Sequence, residues 1–155
     1  MVDLTALQNY RENERIEAKQ ATGGLPESIW ETYSAFANAQ GGVILLGVEE
    51  LPDKSLRPLD LLDPDWLIRE FWQGLNDPAL VSVNFLREEH VQTHLVDGKR
   101  ILVVTVPPAP RALRPVYVYQ EGRWMAYRRR GEGDFRCTQE EMEAMYRERE
   151  GSYGA

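Results

Sequence analysis

Ser34-Ala35-Phe36-Ala37-Asn38-Ala39-Gln40-Gly41-Gly42-Val43-Ile44-Leu45-Leu46-Gly47-Val48-Glu49-Glu50 joins two different periodicities through a pair of glycines. Upstream, Ile29, Tyr33, Phe36 and Ala37 recur at i, i+4, i+7 and i+8, which gathers them into one buried helical stripe. Pro26 suits a first helical turn, where a missing N–H costs little, so a helix is expected from Pro26 to about Ala39. Gly41-Gly42 ends it, because glycine accepts the left-handed conformation of a helix C-cap. Val43 to Val48 is apolar throughout, as expected of a central strand covered on both faces.

The flanking segments extend this helix–strand unit into a full domain. Leu4 to Tyr10 reads as a short opening helix or arm. Glu14 to Ala18 reads as a strand, with Glu14, Ile16 and Ala18 on one face and Arg15, Glu17 and Lys19 on the other. Leu51 to Leu62 reads as a loop. Asp63-Pro64 pairs an N-cap with proline at the first helical position, and the helix runs to Leu75. Strands are expected over Leu80–Leu86, Val91–Leu95 and Ile101–Val106, the last two joined at the tight-turn dipeptide Asp97-Gly98. A hairpin follows, Val116–Tyr119 with Arg123–Arg128 about Glu121-Gly122. Thr138 and Glu141 form a capping box for a helix from Gln139 to about Arg149. The expected fold is α+β: a mixed, largely antiparallel sheet against two or three helices, one domain over 1–150, and a flexible tail over 151–155.

The chain of 155 residues is 43% hydrophobic and 28% charged, the composition of a folded domain rather than a disordered one. No apolar run approaches the roughly 20 residues needed to cross a bilayer. The first residues lack the basic-then-apolar pattern of a secretory signal, and a single cysteine, Cys137, fits a reducing cytoplasm. Net charge is −7, which argues against a protein that simply coats nucleic acid. The charge is unevenly distributed, with seven arginines against three acidic residues between Arg111 and Arg136.

Three blocks in order resemble the Schlafen-type AlbA-like domain. They are Glu12-Asn13-Glu14-Arg15-Ile16-Glu17-Ala18-Lys19, similar to E-S-x-x-x-E-F-K; Ser34 to Gly42 running into Gly47-Val48-Glu49, similar to A-F-A-N-x-x-G-G and G-V-x-[DE]; and Arg114-Pro115-Val116-Tyr117 with Tyr127-Arg128-Arg129-Arg130-Gly131. Asn13 and Ala18 depart from the commoner serine and phenylalanine. The resemblance implies nucleic-acid binding, DNA rather than RNA, in a transcription-regulatory setting. It makes Lys19, Arg128, Arg129 and Arg130 the expected phosphate contacts, since arginine offers a planar fork of donors to phosphate. Tyr117, Tyr119, Trp124 and Tyr127 lie close by in sequence, where aromatic faces could stack bases. Asn38, Gly41, Gly42 and Gly47 would shape the site, and pairing into a homodimer would enlarge the footprint.

The alternative implied by RNA-cleaving Schlafen proteins is a metal-dependent endoribonuclease with Glu12, Glu17 and Glu49 around Mg²⁺ or Mn²⁺, which hard oxygen ligands suit. ATP binding is a weaker alternative, because neither glycine pair is followed by the Lys-Ser or Lys-Thr of a P-loop. A protein-interaction module is a third. His90 and His94 share a strand face without a third ligand, and no nucleophile motif surrounds Cys137.

Overall fold

The computed structural model describes residues 2–154. Strands β1 (Ile16–Lys19), β2 (Gly42–Leu46), β5 (Val91–Val96) and β6 (Lys99–Val106) form one sheet in the order β1-β2-β6-β5. The β1–β2 pair is parallel and the others antiparallel. β3 (Val48–Glu50) and β4 (Leu56–Pro58) make a small hairpin, while β7 (Tyr117–Gln120), β8 (Arg123–Arg130) and β9 (Gly133–Arg136) make a three-stranded antiparallel sheet. The helices are α1 (Ile29–Ala37), α2 (Pro64–Leu75) and α3 (Gln139–Gly154). None is long and apolar enough to cross a membrane.

β2 is central, as its unbroken apolarity requires. Ile44 and Leu46 pack into a core with Tyr33 and Phe36 of α1, Phe71 of α2 and Val118 of β7. Leu45 faces a second core, with Leu7, Ile16, Val48, Leu56 and Ile101. The opening segment Leu4–Asn9, a 3-10 helix, and the β3–β4 hairpin cover that second face. α1 lies between the two larger sheets. Its stripe is buried as the periodicity demands, and a Cβ on Gly42 would stand 2.5 Å from the Phe36 ring.

Several boundaries differ from expectation. β1 starts at Ile16, because Asn13 and Ile16 close a turn on each other through both backbone bonds and leave Glu14 outside the strand. α1 starts at Ile29, with Pro26–Ser28 forming the turn that leads into it. Gly47, at φ +85°, breaks the expected strand into β2 and β3 and sits against Leu61, where a side chain would clash.

Leu80–Leu86 is not a strand. Its apolar residues join the core, but its ladder is a single bridge, Val81 to Val118. The Asn84 side chain takes the Leu86 N–H at 3.0 Å, a local bond that competes with sheet pairing. β9 falls outside the expected strands: it is only four residues long, and Phe135 is its one large apolar residue, so periodicity gives little signal. The Thr138–Glu141 capping box is present, and α3 continues past Arg149 through most of the expected tail. Ala155, like Met1, lies outside the described residues.

Candidate functional site

β8 presents three consecutive arginines, and strand alternation divides them between two environments. Arg129 points inward and its side chain is fully buried. Nε and Nη2 both donate to the Asn13 carbonyl, at 3.1 and 2.9 Å, and Nη2 also donates to the Ile16 carbonyl at 3.0 Å. Nη1 donates to Glu17 at 3.2 Å and to Asp134 at 2.8 Å. Each of the five N–H donors of the guanidinium thus has an acceptor. The Phe36 ring lies 5.0 Å from the guanidinium carbon, and Thr32 of α1 donates to the other oxygen of Asp134 at 2.6 Å. The side chain ties β8 to β9, β1 and α1. The expectation of Arg129 as a phosphate contact is therefore corrected: burial and internal acceptors leave it no donor for a ligand.

Arg128 and Arg130 point outward beside the start of α3. Arg128 Nε lies 3.6 Å from Glu141, and Arg130 bonds the same carboxylate. Burial would raise the Glu141 carboxyl, but Arg130 and the Thr138 N–H outweigh it and hold the group below its ordinary range. Two guanidiniums share one carboxylate, so this contact leaves a positive charge uncompensated. Lys19, on β1, donates to the Ser28 hydroxyl at 2.9 Å and stays exposed at its head.

A carboxylate cluster forms on the inner side of Arg129. Glu12, in the loop before β1, accepts the Ala18 N–H at 2.9 Å. Its carboxyl is pushed up to about 8, by burial first, then by hydrogen bonding with Glu17, with the Ala18 N–H opposing and Glu17's charge and Glu50 adding to the rise. The third carboxylate is Glu50 and not Glu49, a second correction. Glu49 pairs with Arg57 across the β3–β4 hairpin, whereas Glu50 reaches Glu12 and lies 3.4 Å from Lys54. Neighbouring strand residues face opposite ways, and the fourth position of Gly47-Val48-Glu49-Glu50 is Glu50.

The oxygen donors suit a hard divalent cation chemically. Geometrically they do not fit one as they stand, since among the described residues no three such groups are placed to hold a metal. The raised Glu12 carboxyl, which keeps its proton up to about pH 8, and the Arg129 guanidinium on Glu17 offset the repulsion instead.

The residues expected to shape the site serve the fold. Asn38 is buried under β7 and β8: it accepts the Val116 N–H at 2.8 Å and donates to the Val116 and Tyr127 carbonyls at 3.1 and 3.0 Å. Gly41 and Gly42 line a separate cleft with Arg15 and Pro108. Gly47 sets the direction of β3 and so the placement of Glu50. His90 is a local acceptor for the Arg87 N–H, and burial pushes the Cys137 thiol up to about 11, far from a reactive thiolate. Sequence reasoning misses Asp134 and Glu141. Asp134 could be found only by recognising β9, whereas Glu141 is visible as a capping residue but not as an arginine partner.

This architecture defines a Schlafen/AlbA-like α+β domain. Residues 12–138 match the family described as Schlafen, AlbA_2, and the chain belongs to it. Its fold is similar to the solution NMR structure of the N-terminal domain of a protein from Nitrosomonas europaea whose name relates it to the ATP-dependent DNA helicase RecG. That pair shares 35% identity and a TM-score of 0.65 over 89% of this chain and 95% of the other. The crystal structure of the DIP2311 protein from Corynebacterium diphtheriae shares the fold at 18% identity and a TM-score of 0.56. There the match covers 86% of this chain and 23% of the other. A comparison with curated proteins finds no match.

Proposed function

We propose that the domain binds nucleic acid, DNA in preference to RNA, in a regulatory role, with Arg128, Arg130 and Lys19 as phosphate contacts. The observation that carries this reading is the sharing of Glu141 by Arg128 and Arg130, which leaves donors and net positive charge on an exposed face. These ion pairs are partly open to solvent, where such pairs are weak, so a phosphate can compete with the carboxylate. Family membership and the likeness to a domain of a RecG-related protein support the same reading. The test is a titration of fluorescent DNA and RNA at low salt: the reading expects binding, tighter for DNA. A protein that binds neither would instead be an interaction module.

A second reading, metal-dependent cleavage of RNA or single-stranded DNA, has one observation in its favour. Glu12, Glu17 and Glu50 come from three separate segments yet converge, at an electrostatic cost that a cation would relieve. Mg²⁺ or Mn²⁺ would have to displace the Glu12 proton. This reading expects cleavage with either ion that is lost in Glu17→Gln, and intact substrate with both ions would remove it.

A further inference from the structure

The outer face of the β7–β9 sheet carries large residues that neither core uses. Alternation sets Trp124, Ala126, Arg128 and Arg130 of β8 on that face. The register places Tyr119 opposite Trp124 and Phe135 opposite Arg128. Tyr119, Trp124 and Phe135 are 42, 43 and 50% exposed. Tyr119 and Trp124 meet edge to face with ring centroids 5.3 Å apart, and the Arg130 guanidinium lies 5.8 Å from the Phe135 ring. Beside Trp124 a cleft of about 430 Å³ opens between the sheet and the first turn of α3, with Ala126, Cys137, Gln139 and Met142 among its walls.

Exposed rings gathered on one face mark a surface that meets a partner. Here they are interspersed with guanidiniums, so the complementary ligand is flat and apolar in places and anionic between them. A duplex buries its base faces in the stack, whereas an unpaired strand offers bases and phosphates together. We propose that this face is a stacking platform for single-stranded nucleic acid. Trp124 and Tyr119 take bases at one end, Phe135 takes a base farther along, and Arg128, level with Phe135, and Arg130, one step beyond it, hold phosphates. The proposal rests on the nucleic-acid reading above and narrows it to unpaired strands.

The dimensions suit a strand rather than a single nucleotide. Trp124 and Arg128 are four residues apart, about 13 Å at a rise of roughly 3.3 Å per residue. Ring stacking accepts any base, so the platform discriminates little by sequence. Glu141 is its built-in competitor, since it holds both arginines until phosphate replaces it.

The test compares a labelled thymidine homopolymer with a duplex and with an abasic strand of equal length, by fluorescence anisotropy. The homopolymer is expected to bind about tenfold tighter than either. Trp124→Ala and Phe135→Ala should each weaken it by about tenfold, while Trp124→Phe keeps most of the affinity. These side chains are exposed, and unchanged melting would show that each variant is folded. Equal binding of all three ligands, with Trp124→Ala neutral, overturns the platform and leaves the nucleic-acid reading standing. No binding of any ligand at low salt overturns both. Self-association abolished by Trp124→Ala, with no strand bound, would assign the face to a second copy of this chain and overturn the platform.

Discussion

The two faces of β8 carry the same residue type to opposite ends. On the inner face Arg129 is buried, with every donor satisfied by Asn13, Ile16, Glu17 and Asp134. On the outer face Arg128 and Arg130 divide one half-buried carboxylate between them. The inner arginine joins two sheets and keeps a carboxylate cluster together. The outer pair has charge left for a ligand. A basic run in a sequence is thus two objects once a strand alternates it, and each has a different cost of removal.

The largest effect should come from the inner face. Arg129→Ala strands the buried carboxylates of Glu17 and Asp134 and takes a charged donor from the Asn13 and Ile16 carbonyls, which keep only each other's N–H, at about 3–5 kcal/mol. Thermal melting should fall by roughly 6–20 °C for a chain of this size. A variant that melts within a degree or two of the parent would erase the distinction between the faces. Asn38→Ala comes next. It frees the Val116 N–H and takes one donor each from the carbonyls of Tyr127 and of Val116, the latter keeping the Ser34 hydroxyl, for about 2–3 kcal/mol, measurable as a lower urea midpoint at unchanged slope.

The carboxylate cluster supplies a smaller, pH-dependent effect. Glu12 holds its proton in the fold up to about pH 8, while the unfolded chain releases it near the ordinary carboxylate value. The folded state therefore binds more protons in that window, and stability falls as pH rises from about 4.5 through about 8. Glu12→Gln removes this loss. Because Glu12 is only half-buried, the gain over the parent at pH 9 should be about 1 kcal/mol, vanishing near pH 4. A gain of equal size at both pH values would contradict the raised Glu12 carboxyl.

Periodicity makes the helix–glycine–strand unit legible, since Tyr33, Phe36, Ile44 and Leu46 are buried for the reason their spacing states. Local chemistry does the same for the Asp97-Gly98 turn and the Thr138–Glu141 cap. Leu80–Leu86 reads as a strand but is none, because apolar burial needs no ladder, and β9 escapes notice because a short edge strand can be polar. At the candidate site, the segments that carry Glu12 and Glu17 are legible as a motif. Glu50 is one residue away from the expected position and on the other face of β3. Arg129 reads as a ligand contact because its acceptors, two of them backbone carbonyls more than a hundred residues upstream, leave no trace in local sequence.

The claim that the outer arginines meet phosphate is tested most directly by salt dependence. Nucleic-acid affinity should be measured across a salt series for the parent and for Arg128→Ala/Arg130→Ala, with Arg129 untouched. The account predicts normal melting, weaker binding at low salt, and a slope of log K against log salt shallower by about 2 for duplex DNA. A slope identical to the parent's would contradict it.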